Sequence, residues 1–150
     1  MLEQLKLARQ FFEANRMAHR VVVFLEPSLK FCRDSDGQLD LRMQIDEFVL
    51  AYIYGVIIAF VGNSGTLPEG EPAFTARQVF DRLFPRQGRL ITELCTVRVN
   101  EKDKDFSRTM EVGSAETSQA IASQEQLIPQ ALQDYTLANY RRVKSKRQSA

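Results

Sequence analysis

Apolar residues in the first part of the chain recur with a helical period. Leu7, Phe11, Ala14, Ala18, Val21 and Leu25 alternate spacings of four and three, while Arg9, Glu13, Arg16 and Arg20 fall on the opposite side. This predicts an amphipathic helix over residues 2–26. Pro27 sets its end, because a proline pushes the residue before it out of the helical region. Val21, Val22 and Val23 are its weak stretch, since consecutive β-branched side chains lose rotamer freedom in a helix and favour a strand.

Over residues 28–44 the pattern changes. Leu29 and Phe31 precede the turn-forming run Asp34, Ser35, Asp36, Gly37, and Leu39, Leu41 and Met43 follow it in alternation with polar residues. That is the pattern of a β-hairpin or an ordered loop. Asp46 and Glu47 then stand where the positive end of a helix dipole favours carboxylates, ahead of a stretch apolar on nearly all sides. The spacing predicts a helix over about residues 46–62, and such a helix must be enclosed, so it is expected at the centre of the fold. Its unbroken apolar run, residues 48–62, is shorter than the roughly 20 residues that cross a bilayer.

The glycines and prolines of residues 62–72 predict a long loop and a hinge. Thr75 and Gln78 have capping-box spacing, with Val79, Phe80, Leu83 and Phe84 on one face and Pro85 as a stop, so a short helix is expected there. Leu90, Ile91, Leu94 and Cys95 suit a helix, whereas Cys95, Val97, Val99, Met110 and Val112 suit strands flanking a polar turn at 100–105. A β-hairpin over 94–112 is the reading. Beyond Gly113 the pattern is helical again, and Pro129 suits the first turn of a new helix in which Ile128, Ala131, Leu132, Tyr135 and Ala138 share a face. The whole reads as a mainly α fold: a single globular helical domain over residues 1–140, built around the 46–62 helix, with short hairpins at 28–44 and 94–112 and a basic C-terminal tail at 141–150. An α+β fold is the alternative.

Composition places the chain among ordinary globular proteins. It has 150 residues, 44% hydrophobic and 26% charged, enough for a hydrophobic core and unlike a disordered, collagenous or disulfide-framed chain. Charge is uneven. Arg141, Arg142, Lys144, Lys146 and Arg147 hold five positive charges, so a net +1 overall leaves −4 on the rest. Cys32 and Cys95 form no close pair, the first residues lack a basic segment followed by an apolar one, and no Asn-x-Ser/Thr occurs, so a cytoplasmic location is expected.

Candidate chemistry is sparse. Asp34, Asp36, Asp40, Asp46 and Glu47 cluster, and Gly37 taken as the sixth position of a calcium loop puts Asp34, Asp36 and Asp40 in register. The first ligand would then be Cys32 and the twelfth Met43, so turn and cap roles are expected instead. Gly62 and Gly65 lack the Gly-Lys-Ser/Thr that completes a phosphate loop. His19 is the single histidine, which removes paired-histidine metal motifs and leaves a lone base beside two cysteines read as small buried hydrophobes. No cofactor and no metal are expected.

Ala51, Gly55 and Ala59 recur every four residues, a ridge for close packing against the small face at Ala14 and Ala18 or across a two-fold homodimer. Arg141, Arg142, Lys144, Lys146 and Arg147 suit a solubilising end or a docking arm for nucleic acid or an acidic protein. The expected function is therefore a non-enzymatic interaction, adaptor or assembly subunit working through apolar helix faces, with a protein partner or a second copy. A nucleic-acid-associated accessory protein using the tail is the alternative.

Overall fold

The computed structural model describes residues 1–64, 72–124 and 127–140. Among these the chain forms α1 (Leu2–Leu29), α2 (Glu47–Ser64), α3 (Pro72–Leu83), α4 (Gly88–Asn100), α5 (Lys104–Ser123) and α6 (Gln130–Asn139), with 3₁₀ turns at Lys30–Cys32 and Leu41–Ile45. The fold is mainly α around a central apolar helix, α2. Leu50, Ile53, Val56 and Ile57 of α2 are fully buried although they point to different sides, because neighbouring helices cover most of its circumference. By length and composition α2 is apolar enough to cross a membrane, and 67% of it is buried inside the fold.

The most extensive helix pairing is α2 on α5. A Cβ on Gly55 would lie 2.0 Å from the carbonyl oxygen of Met110, and one on Gly113 would lie 2.4 Å from the carbonyl oxygen of Tyr52. The two backbones therefore approach closely only because neither residue has a side chain. The small-residue ridge thus has a different partner from the expected one: Gly55 packs on α5 and not on Ala14 and Ala18 of α1.

Both expected hairpins are absent. Over residues 28–44 a single antiparallel bridge, Arg33 to Leu39, is all that forms. Two backbone bonds, from the Asp34 amide to the Gln38 carbonyl at 2.8 Å and from the Asp40 amide to the Cys32 carbonyl at 3.0 Å, close the turn, and Asp34 Oδ1 also accepts from the amides of Asp36 and Gln38 at 2.9 Å each. Leu39 and Met43 are buried while Leu41 is 66% exposed, a four-residue repeat that suits a turn of helix. Over 94–112 the polar turn is present but joins two helices. Lys102 adopts a left-handed φ of 55°, and the Asp103 carboxylate accepts from the Phe106 amide, capping α5. The alternating valines have no strand to pair with among the described residues, and Val97 and Val112 lie exposed.

Other boundaries differ for local reasons. α1 continues through Pro27 to Leu29. The amide that proline lacks would have bonded the carbonyl of Val23, on the exposed side of the helix. Val21 stays helical because its side chain is fully buried there. α3 starts at Pro72, a residue suited to a first helical position, and the capping box at Thr75 does not form: the Thr75 hydroxyl and the Gln78 amide nitrogen have no hydrogen-bond partner. Gly62, Asn63 and Ser64 belong to the last turn of α2, and the rest of the expected loop and hinge lies outside the described residues.

α6 is held by the fully buried Leu132, by stacking of Tyr135 on Phe48 and by polar groups. The Tyr135 and Tyr140 hydroxyls both donate to Asp46 Oδ2, at 2.8 and 2.5 Å, while Asp46 Oδ1 accepts from the Phe48 amide at the start of α2. Glu116 Oε1 accepts from the Tyr52 hydroxyl at 2.5 Å and from the Ala131 amide at 3.1 Å, joining α2, α5 and the first turn of α6. Thr136 Oγ1 donates to the Ser28 carbonyl at 3.0 Å. Each such bond contributes roughly 0.5–1.5 kcal/mol, more where a carboxylate accepts.

Candidate interaction surface

α1 is one continuous helix with two unlike halves. From Ala14 onward its inner face carries Ala14, Ala18, Val21 and Leu25, all fully buried. Before Ala14 no side chain is buried. Leu5 is 62% exposed, Leu7 59%, Phe11 59% and Phe12 60%, and Met1 and Leu2 are more exposed still. At 1.5 Å per residue the first twelve residues make an arm about 18 Å long.

The arm is amphipathic on its own account. Leu7 and Phe11 prolong the row that is buried further along, and Leu5, Ala8 and Phe12 form a second row beside it. Together they cover about half of the helix circumference, interrupted by Gln4. Glu3, Lys6, Arg9, Gln10 and Glu13 occupy the other half. Arg9, Arg16 and Arg20 follow one another along one border of the apolar face, giving that border a positive edge. Leu7 and Phe11 belong to the stripe that the periodicity predicts, and Leu5 and Phe12 widen it beyond the one stripe that a helix needs to pack on one body.

The other candidates fall elsewhere. Ala51 and Gly55 are buried in the α2 and α5 region, and Ala59 is 4% exposed. Arg141, Arg142, Lys144, Lys146 and Arg147 lie outside the described residues. Cys32 and Cys95 are buried, and burial raises both thiols, Cys95 to about 12, which disfavours the thiolate a nucleophile needs. His19 is exposed on α1. The carboxylates of the acidic segment act on the protein itself: Asp34 on its turn, Asp40 as cap of the 3₁₀ turn with Arg42 paired to it, Asp46 as cap of α2, and Glu47 in an ion pair with Arg98. Among the described residues no group of three or more His, Cys, Asp or Glu side chains is placed to hold a metal ion.

A shallow groove of about 590 Å³ between α3 and α4 is lined by Phe74, Arg77, Thr92 and Val97, with Arg89 at its edge paired to Glu93 at 3.2 Å. It brings together no nucleophile and base. Comparison of the chain with protein-family models, with curated proteins and with solved structures finds no match, so the functional reading rests on the chemistry of these surfaces.

Proposed function

We propose that this protein is a non-enzymatic interaction subunit that inserts the arm of α1 into an apolar groove of a protein partner. The observation that carries this reading is the exposure of Leu5, Leu7, Phe11 and Phe12 on one half of a helix whose remaining length is well packed. Exposed apolar area of this kind, rimmed by charge, is characteristic of docking surfaces. An amphipathic helix in a groove presents anchors three and four residues apart, and here Leu7 and Phe11 are four apart while Leu5, Ala8 and Phe12 follow at three and four. The positive border formed by Arg9, Arg16 and Arg20 calls for carboxylates along the facing edge of the groove.

The test is the double variant Leu5→Glu, Phe12→Glu. Both side chains are exposed, so the melting temperature of the isolated protein stays within about a degree or two of the parent's. Light scattering across a concentration series reports self-association, and reciprocal purification from the native host reports other partners. The reading requires the parent to associate, with itself or with a defined partner at fixed stoichiometry, and the double variant to lose that association. Equal association of both proteins overturns it.

A further inference from the structure

We infer that the groove bounded by α1, α5, Phe60 of α2 and residues 127–128 binds a free amphiphilic monocarboxylate, a fatty-acid-like anion. The groove lies away from the arm, on the packed half of α1, and the inference stands independently of the docking reading. Its volume is about 650 Å³, within the roughly 300–1,000 Å³ range of small-molecule sites. Phe24 and Phe60 contribute aromatic surface, their ring centroids 5.6 Å apart at 67°, and Ile121 and Ile128 add aliphatic walls. Ile128 is 37% exposed, so part of the apolar wall faces solvent.

Among the described residues, the ionisable side chains that line the groove are His19 and Arg20. The Arg20 guanidinium sits 5.5 Å from the centroid of the Phe60 ring, which fixes a cation at the border of the apolar wall. An apolar cleft with a guanidinium at its border recognises a ligand with an apolar body and one anionic end. A neutral hydrocarbon makes no use of Arg20, and a small inorganic anion makes no use of Phe24, Ile121 and Ile128. A carboxylate matches the planar fork of a guanidinium and gains the stronger, charge-assisted form of hydrogen bond.

The experiment is a titration of the full chain with carboxyl-¹³C dodecanoate below its micellar concentration, read by carboxyl chemical shift and by calorimetry. Dodecanol and acetate serve as the tail-only and head-only probes. Saturable one-to-one binding of dodecanoate is expected, with dodecanol and acetate each at least about tenfold weaker. Arg20→Gln weakens dodecanoate by about tenfold or more while weakening dodecanol far less, because Phe24, Ile121 and Ile128 remain in place and only the contact of Arg20 with Phe60 is lost from the wall. Ala120→Phe, which fills the groove from α5, abolishes binding of both. The double variant Leu5→Glu, Phe12→Glu binds dodecanoate like the parent. Absence of saturable binding, equal affinity for dodecanol, indifference to Arg20→Gln, or loss of binding in the arm variant each overturns the inference, the last by placing the amphiphile on the arm.

Discussion

At the crossing of α2 and α5 the backbones approach closely at Gly55 and Gly113, the smallest residues in the chain, and Ala51, Tyr52 and Val56 beside them on α2 are fully buried. Along the first half of α1 the apolar residues are large, Leu5, Leu7, Phe11 and Phe12, and all are more than half exposed. Apolar content does not separate these regions. What separates them is whether another backbone comes near enough to cover the side chains. Gly55 and Gly113 let α5 lie directly against α2, which turns a modest set of side chains into a closed interior. The first turns of α1 run past the helices that cover its second half, and their larger apolar surface stays open. Hydrophobic residues left in water in this way are available to a second molecule, whereas those of the crossing serve only the fold.

The largest expected effect comes from forcing the closed region open. Gly55→Leu places a branched side chain where even a Cβ lies 2.0 Å from a backbone oxygen, so α5 must move as a body. Overpacking ordinarily costs about 1–3 kcal/mol, and a clash with a backbone rather than a side-chain tip puts this variant at or beyond the upper end. Urea unfolding followed by circular dichroism measures it. A midpoint like that of the parent means that the helices are not in close contact at Gly55, and the contrast with the arm disappears.

A second expectation compares the two halves of α1 directly. Val21→Ala removes two methyl groups from a fully buried site and costs about 2 kcal/mol, the transfer of two carbons at roughly 0.8 kcal/mol each plus a small cavity. Leu7→Ala removes more carbon from the same sequence stripe yet changes stability by less than about 0.5 kcal/mol, because the side chain is already in water. Equal losses at the two positions mean that the arm is packed in the isolated protein.

The same stripe shows what the sequence discloses and where it stops. Periodicity from Leu7 to Leu25 predicts the helix and its inner face correctly, and the continuous apolarity of residues 48–61 identifies the central element. Burial needs a partner, and nothing local to residues 5–12 says that the neighbouring helices end short of them. The valines at 97, 99 and 112 mislead for a related reason. Alternation over a few residues fits a strand, but Asp103 as an N-cap and the 106, 113, 117 spacing of buried positions in α5 select helices. The pins on α6 are equally non-local: Tyr135 and Tyr140 meet Asp46 across about ninety residues, and no pattern in either segment announces it. Of the candidate surface, Leu7 and Phe11 were legible as apolar and helical, while their exposure was not. The groove was not legible at all, since α1, α2, α5 and the segment before α6 each supply part of it.

The smallest effect, and the one that acts on the closed region alone, is alkaline destabilisation through tyrosine. Tyr52 lies in the α2 and α5 crossing, and its hydroxyl is raised above the ordinary value of 10.0 first by burial and then by the hydrogen bond to Glu116. Tyr135 is raised to about 12, again by burial first and then by its bond to Asp46, and Tyr140 is raised for the same reasons. A folded-state value above the unfolded one means that the unfolded chain releases these protons at lower pH. Stability from the protonated tyrosines is therefore fully present below pH 10; for Tyr135 it is lost as pH rises through about 12, and for Tyr52 and Tyr140, which are raised further, the loss extends beyond that. The arm contributes nothing to this slope, because residues 1–13 contain no tyrosine. Tyr52→Phe deletes a hydroxyl bonded to a carboxylate and costs about 1–2 kcal/mol at neutral pH, part of it offset by the Ala131 amide that still serves Glu116. Between pH 10 and 12 the variant also loses stability more gently than the parent. Urea midpoints of both proteins at pH 8, 10 and 11 measure the two slopes. Parallel slopes mean that Tyr52 ionises as freely in the fold as in the unfolded chain, and that solvent reaches the crossing as readily as it reaches the arm.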